Sequence, residues 1–558
     1  MDETREVTIT LNTGEDIDAF IDEIKALGYT LSDLMPLSRY NVKFHMTLEQ
    51  SDRLKADPRV RECLFGTIEQ NNIKISNKAV GTNNFYARQG VYTASPGGGF
   101  SANSESNWAL YDCTSNSNPF SNYSSAFQRN YTLDGTGVDV VIMDTGLQID
   151  HPEFQNANGV SRVQKINWWT AAGQSGSPPW TQDPAQANMP TGFYTDLDGH
   201  GTNVCSIMAG KTYGWAKNAN IYVWNANGDV GALDPTQYSA LSLISAWHLL
   251  KPIQANGYRR PTIINMSFAY VFGDYMDITG VNYRGISQVT TFPNNTYGLL
   301  AYNGNGLPYR YAAFDSDIEA ALADGLIIVA AAGNNSYKID VPGGADYNNY
   351  ATGNFTDYSA TTWYYQQGAS PGGTAGVICV GAIDFTYNAG LFEYPNTVVY
   401  WSSYSTSNAT AKASFSCTGP RINVWAPGGM ISGATCNSKT ITPVPLNVSN
   451  YSNNVYPVTT YYNNSSYKQQ KDSGTSQASP QVAGMLACVA QMRPWMTYQD
   501  AASWLNTFSV PKTANAATTG GYADLFSLQG ATTNYLYFPY QTVNNAIVTG
   551  SGSFSGTF

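Results

Sequence analysis

The ten residues "GVDVVIMDTG" (137–146) decide how the rest of the chain is read. Residues 140–143 are four apolar side chains in a row, so the segment has no polar face. A short run of that kind fits a strand buried on both sides. It closes on Asp144-Thr145-Gly146, which puts a carboxylate at the strand's C-terminal end. Five further runs behave alike: "ANIYVWNA" (219–226), "PTIINMSF" (261–268), "GLIIVAAAGN" (325–334), "GVICVGAID" (376–384) and "RINVWAPG" (421–428). Helical patterns fall between them, in "YSALSLISAWHLLK" (238–251) and "FDSDIEAALADG" (314–325). The alternation predicts an α/β domain over residues 105–515, with a mostly parallel central sheet covered on both faces. In such sheets, polar residues at the strand C-terminal ends collect along one edge, where ligands bind.

Charge separates the first part of the chain from this domain. The first 70 residues hold 14 acidic and 8 basic residues, 22 of the chain's 69 charges. "REVTITLN" and "YNVKFHMT" alternate like strands, "DIDAFIDEIKALG" is an amphipathic helix ending at Gly28, and "LEQSDRLKADP" is a second helix before "VRECLFGTIEQ". This β-α-β-α-β order predicts a small α+β (ferredoxin-like) domain over residues 1–75. Residues 76–104, containing "TASPGGGFSANS", read as a linker. Three Tyr/Asn/Gly/Ser-rich segments near 271–311, 336–375 and 430–470 read as long loops inserted in the α/β domain. Residues 516–558, ending "VTGSGSFSGTF", read as an extended C-terminal appendage.

Bulk properties exclude several function classes. With 12% charged residues and a net charge of −11, the chain offers no basic stripe to neutralise phosphates, so nucleic acid is not expected as a partner. No apolar run reaches the length of a membrane span. The start, "MDETREVTITLNTGED", lacks the basic and apolar regions of a secretory signal. Localisation stays open, with an extracellular or virion-associated setting favoured. The seven cysteines show no CxxC pair and no metal-ligand spacing; Cys205, Cys379 and Cys488 lie in apolar runs and read as core residues.

The chemistry-bearing candidates lie at the ends of the buried runs. "DSGTSQASPQVAGMLACVAQM" (472–492) is an Ala-rich buried helix whose entry carries Ser476, either an ordinary N-cap or a nucleophile at the positive helix end. Pro480 is expected near the helix start, where an N–H can be spared. Of four histidines, His200 in "DLDGHGTNVCSIMAG" is flanked by glycines that let substrate and backbone approach the ring. His45, His151 and His248 fit strand, turn and helix roles. Asp144 is either a turn cap or an orienting acid. Asn334, closing "GLIIVAAAGN", is either a loop asparagine or an amide donor.

Taken together these segments resemble the subtilisin-like serine proteases, most closely the proteinase K branch. "VVIMDTGLQIDHPEF", "GHGTNV", "AAAGN" and "GTSQASPQVAG" match the family's Asp, His, oxyanion and Ser segments in the family's order. "SNWALYDCTS", "TYGWAKNANIYV", "NMSF", "VICVGAID" and "FSCTGPRINVWAPGG" match further segments. The resemblance implies the subtilisin-like three-layer fold, a triad of Asp144, His200 and Ser476, and Asn334 as oxyanion donor. It implies that Ser267, Phe268 and Ala269 form an edge pairing with substrate backbone, Phe268 suggesting a large apolar substrate side chain. It also implies that the N-terminal domain is an inhibitor-like propeptide, so that the partners are a polypeptide substrate and the chain's own propeptide. Asn203, Gln477 and Gln481 depart from the family's usual residues, none at a catalytic position. No cofactor is expected; the "AGKTYGWAK" connection lacks room for one family calcium loop, and nothing supports calcium elsewhere. The low charge and polar insertions also fit a different class, a virion-associated or other structural protein built on the protease fold.

Overall fold

The computed structural model describes residues 4–32, 37–66, 73–76, 108–115, 129–131, 133–226, 237–272, 278–300, 306–353, 362–385, 410–429, 431–441, 458–461, 464–511, 522, 527–538 and 541–543. The N-terminal unit runs β1 (Arg5–Leu11), α1 (Ile17–Ala26), β2 (Thr30–Leu31), β3 (Asn41–Met46), α2 (Leu48–Leu54) and β4 (Val60–Phe65). Its antiparallel sheet has the order β2-β3-β1-β4. The two-residue β2 is the element the periodicity missed, because two residues carry no alternation. Val7, Ile9, Phe20, Ile24, Val42, Phe44 and Met46 form a core belonging to this unit alone. Thr47 and Gln50 close a reciprocal capping box at the start of α2.

After β5 (Ile73–Ser76), α3 (Trp108–Ser115) and β6 (Arg129–Tyr131), the central sheet begins. Its parallel strands are β7 (Asp139–Asp144), β8 (Asn220–Asn225), β9 (Thr262–Met266), β14 (Ile327–Ala331), β17 (Ile378–Phe385), β19 (Val424–Pro427) and β24 (Asn534–Tyr535), in the order β24-β19-β17-β14-β9-β7-β8. The short β18 (Thr410–Lys412) and β23 (Val510–Pro511) join it antiparallel. Strands β7, β9, β14 and β19 are buried along their whole length, as their unbroken apolar runs require. Following the four-residue α4 (Trp168–Ala171), α5 (His200–Ala209) packs with α8 (Thr475–Met492) on one face of the sheet, while α6 (Gln237–Leu250) and α7 (Ala312–Ala323) pack together on the other. The predicted three-layer α/β fold is the observed one.

The interruptions are not the loops their composition suggested. β11 (Ile278–Tyr283) and β12 (Ile286–Val289) from the first combine with β15 (Tyr350–Gly353) and β16 (Thr362–Trp363) from the second into one four-stranded sheet. Arg284 from the first and Lys338 from the second both bond Asp346, at 2.6 Å each, and the paired cations hold its carboxyl below the usual range despite burial. The third contributes β20 (Ile431–Thr435), β21 (Val458–Tyr461) and β22 (Asn464–Asp472), ordered β20-β22-β21. Thr, Tyr and Val are strong strand formers, and the polar residues beside them hid the pattern. The C-terminal segment likewise differs from an appendage. Past α9 (Tyr498–Phe508), β24 extends the central sheet, Leu536 and Phe538 are fully buried, and β25 (Gln541–Val543) pairs with β6.

The N-terminal unit docks on α7. Asn41 Nδ2 donates to the Ala313 carbonyl at 2.8 Å, Ser38 Oγ donates to Asp317 at 2.6 Å, and Leu64 enters the core of the larger domain. Arg61 meets Glu319 through both guanidinium nitrogens, but the pair is part-exposed and contributes at most about 1 kcal/mol. Beyond β4 the chain reaches β10 (Ala269–Phe272), and β5 pairs with it antiparallel; β13 (Leu307–Pro308) occupies the other edge.

Candidate active site

His200 opens α5 because the turn before it is built for a glycine. Gly199 sits at φ 90°, and a Cβ there would collide with Thr435 Oγ1. The helix's exposed N–H groups are taken by Asp196, a residue the motif reading did not single out. Its Oδ1 accepts from Gly199 N at 2.7 Å, and its Oδ2 accepts from Thr202 N at 2.9 Å and Thr202 Oγ1 at 2.6 Å. Thr145 Oγ1 donates to Asp196 and accepts from Gly201 N at 2.8 Å, so the Asp144 turn and the His200 helix are tied together. The sequence signal was available in Asp196 and Thr202, an acid just ahead of a helix start, but nothing local reveals its bond to Thr145 in a distant turn.

Asp144 Oδ1 accepts from His200 Nδ1 at 2.7 Å and from the Thr145 N–H at 2.7 Å, with both side chains buried. The ring is thereby held as the Nδ1–H tautomer, leaving Nε2 as an acceptor. That nitrogen is buried without a hydrogen-bond partner. Burial disfavours the imidazolium, but the Asp144 carboxylate, aided by Asp472 and Asp198, outweighs it and pushes His200 up to about 9. The ring should therefore titrate well above the ordinary imidazole range, and Asp472→Asn should move that titration down, read from the His200 ring resonances in an NMR pH series.

Ser476 lies in the first turn of α8, behind Gly474. Pro480 is not where the helix can spare an N–H: it lies beyond the first turn and denies a donor to the carbonyl of Ser476, four residues earlier. Ser267 supplies that donor. Its Oγ gives a hydrogen bond to Ser476 O at 2.9 Å, and its own carbonyl accepts from Ser476 Oγ at 3.1 Å. Ser267→Ala should therefore cost about 1–3 kcal/mol by orphaning the buried carbonyl. Adding Pro480→Ala, which restores the N–H, should recover part of that loss in a urea midpoint.

Asn334 follows Gly333, which sits at φ 103° after β14. Its Oδ1 accepts from Thr475 N and Thr475 Oγ1, each at 2.9 Å, and Thr475 Oγ1 accepts from Gly333 N at 3.1 Å. The carboxamide oxygen is thus occupied on the residue before Ser476, which leaves Nδ2 as the donor of this side chain. Asn203 on α5 accepts from Gln477 Nε2 on α8 at 3.2 Å, which brings the first turns of the two helices together; Gln481 accepts from Trp215 Nε1 at 2.7 Å. The three departures from the resembled pattern are mutually bonded or bonded to the core.

The structure joins Asp144 to His200, Ser267 to Ser476, and Asn334 to Thr475. Ser476 Oγ points to Ser267 O and makes no hydrogen bond to His200. Ala269 lies in β10 opposite Ser76, while Ser267 and Phe268 precede the strand. Phe268 is buried against Tyr270 and Phe314, so its ring belongs to the core rather than to an open edge. All seven cysteines are buried and free of disulfides. Among the described residues no group of three or more His, Cys, Asp or Glu could hold a metal, and no helix is long and apolar enough to cross a membrane.

The sequence model of the Subtilase family matches residues 135–531. "Subtilisin-like protease 2" of Arthroderma otae is 25% identical over 353 residues, 63% of this chain and 49% of the relative. The protein of that name from Arthroderma benhamiae is 24% identical over 384 residues, 69% of this chain and 57% of the relative. The chain thus spans about half the length of the curated relatives it matches. Among solved structures, the epidermin leader peptide processing serine protease of Staphylococcus aureus is 15% identical, with 95% of this chain and 97% of that one covered at a TM-score of 0.47.

Proposed function

Because the chain belongs to the subtilase family, we propose that it is a serine endopeptidase, with Ser476 as nucleophile, His200 as base, Asp144 as orienting acid and Asn334 as oxyanion donor. The observation that carries this reading is the 2.7 Å bond from His200 Nδ1 to Asp144, which leaves a buried, partnerless Nε2 as proton acceptor. Rotation of the Ser476 hydroxyl away from Ser267 O would offer its proton to that nitrogen. Ser476 Oγ then adds to the scissile carbonyl while His200 takes the proton. The C–N bond breaks as His200 returns the proton to the leaving amine, and water hydrolyses the ester by the same route. Asn334 Nδ2 and the Ser476 N–H stabilise the oxyanion, one such donor contributing roughly 3 kcal/mol.

The chain is read as a zymogen whose N-terminal domain inhibits in place. Support comes from its docking on α7 and from β5 lying along β10, the strand that follows Ser267 and Phe268. The "SNWALYDCTS" segment and the short "AGKTYGWAK" connection favour the proteinase K branch. Substrate is polypeptide; among the described residues no feature of the site favours one side chain. A fluorophosphonate probe should label wild-type protein at Ser476, read by peptide mass. A folded, unlabelled chain would sink the reading and favour a structural scaffold.

A further inference from the structure

We propose that Asn203 and Gln477 are positioning residues that set the nucleophile against the base, and that the third inserted sheet holds them in place; the proposal rests on reading the chain as a serine endopeptidase. The two groups that must meet stand on different helices, His200 opening α5 and Ser476 in the first turn of α8. Asn203 lies about one turn beyond His200, and Gln477 follows Ser476 directly. The 3.2 Å bond from Gln477 Nε2 to Asn203 Oδ1 therefore links the two turns, with both side chains buried.

β20 decides which way the Asn203 amide faces. The Ala434 carbonyl accepts from Asn203 Nδ2 at 3.3 Å, which directs Oδ1 to Gln477. Beside it, Ser206 Oγ accepts from Ala434 N at 2.8 Å and donates to the Asn203 carbonyl at 2.7 Å. Gly433 permits this approach, since a Cβ there would come within 2.5 Å of Asn203 Nδ2 and 2.7 Å of Ser206 Oγ. β20 pairs with β22, Ala434 opposite Gln469, and β22 ends at Asp472, just before α8 begins at Thr475. The contacts close a ring: β20 to α5, α5 to α8 through Asn203 and Gln477, and α8 back to β20 through β22. Neither helix start can shift against the other without breaking a bond in that ring. Ser476 Oγ has to leave Ser267 O and reach His200 Nε2, and a misplacement of about 1 Å can cost on the order of 10²-fold in rate.

The test compares full-length wild type with Gln477→Met, Asn203→Ala, their double variant, Asn203→Asp and Gln481→Ala. The readings are kcat and KM on a peptide substrate, the rate of fluorophosphonate labelling, and the melting temperature. Methionine keeps the length and helix propensity of glutamine without its donor, so Gln477→Met decides even where Asn203→Ala does not fold. Each single variant should lower kcat and the labelling rate about 10- to 100-fold, with KM changed less than about threefold. The double variant should lose no more than the worse single, because both cut the same link. Asn203→Asp should recover most of the loss, since a protonated carboxyl keeps a donor for Ala434 O and an acceptor for Gln477. Gln481→Ala removes a buried bond to Trp215 on the same helix, and should lower the melting temperature while kcat holds. Full turnover in folded Gln477→Met, or losses that multiply in the double variant, would overturn the proposal and leave the activity standing. So would a fall in kcat for Gln481→Ala that matches the others. A wild type that takes no label removes the activity, and the proposal with it.

Discussion

Ser476→Ala is expected to lower kcat by on the order of 10⁶-fold and to abolish fluorophosphonate labelling while the protein stays folded. The hydroxyl donates to Ser267 O at 3.1 Å, and loss of that bond costs about 1 kcal/mol of stability. The helix entry survives because Thr475, bonded to Asn334 and Gly333, holds it independently of the serine side chain. A near-normal melting temperature with no turnover is thus the expected pair of readings on a peptide substrate. Alanine protein that keeps even a hundredth of wild-type turnover would mean that another group is the nucleophile.

Asp144→Asn is the second large effect, about 10⁴-fold in kcat near neutral pH. Asp144 Oδ1 accepts from both His200 Nδ1 and the Thr145 N–H. A carboxamide is nearly isosteric, but its NH₂ group can donate to Nδ1. The ring then carries its proton on Nε2, where it cannot accept from Ser476. The substitution also removes the charge that holds the imidazolium, so the acid limb of the pH–rate profile should move down from the raised value. Retained activity with an unmoved limb would show that Asp144 neither orients nor charges the ring.

Much of this was legible in the chain itself. Six apolar runs became strands of one sheet, because a short segment without a polar face has few other ways to be buried. The His200 and Ser476 helix entries were equally visible, the first because the turn at Gly199 locally requires a glycine, the second because a Gly-Thr-Ser run opens an Ala-rich apolar segment. Other features were hidden for identifiable reasons. Strand β24 follows a Gly- and Thr-rich stretch, and its two residues reach the sheet only through Leu536 and Phe538, which pack into the core. In the strands of the insertions polar residues take both faces: β12 is largely exposed and β22 buries Gln469, Gln470 and Lys471, so no alternation forms. Pro480 looked like a helix-start residue because only the tertiary partner Ser267 reveals how a later proline is tolerated.

The residue types of the candidate site, their order and their places at strand ends were determined by the sequence alone. These depend on periodicity and turn chemistry within a few residues. Which groups meet was decided only by the tertiary structure. Asp144 and His200 are 56 residues apart, Ser267 and Ser476 are 209 apart, and Asp196 serves a helix tied to the turn after β7. The register of β5 on β10 is of the same kind. Backbone pairing between distant segments is set by where packing brings them, and no local pattern in either segment encodes the partner.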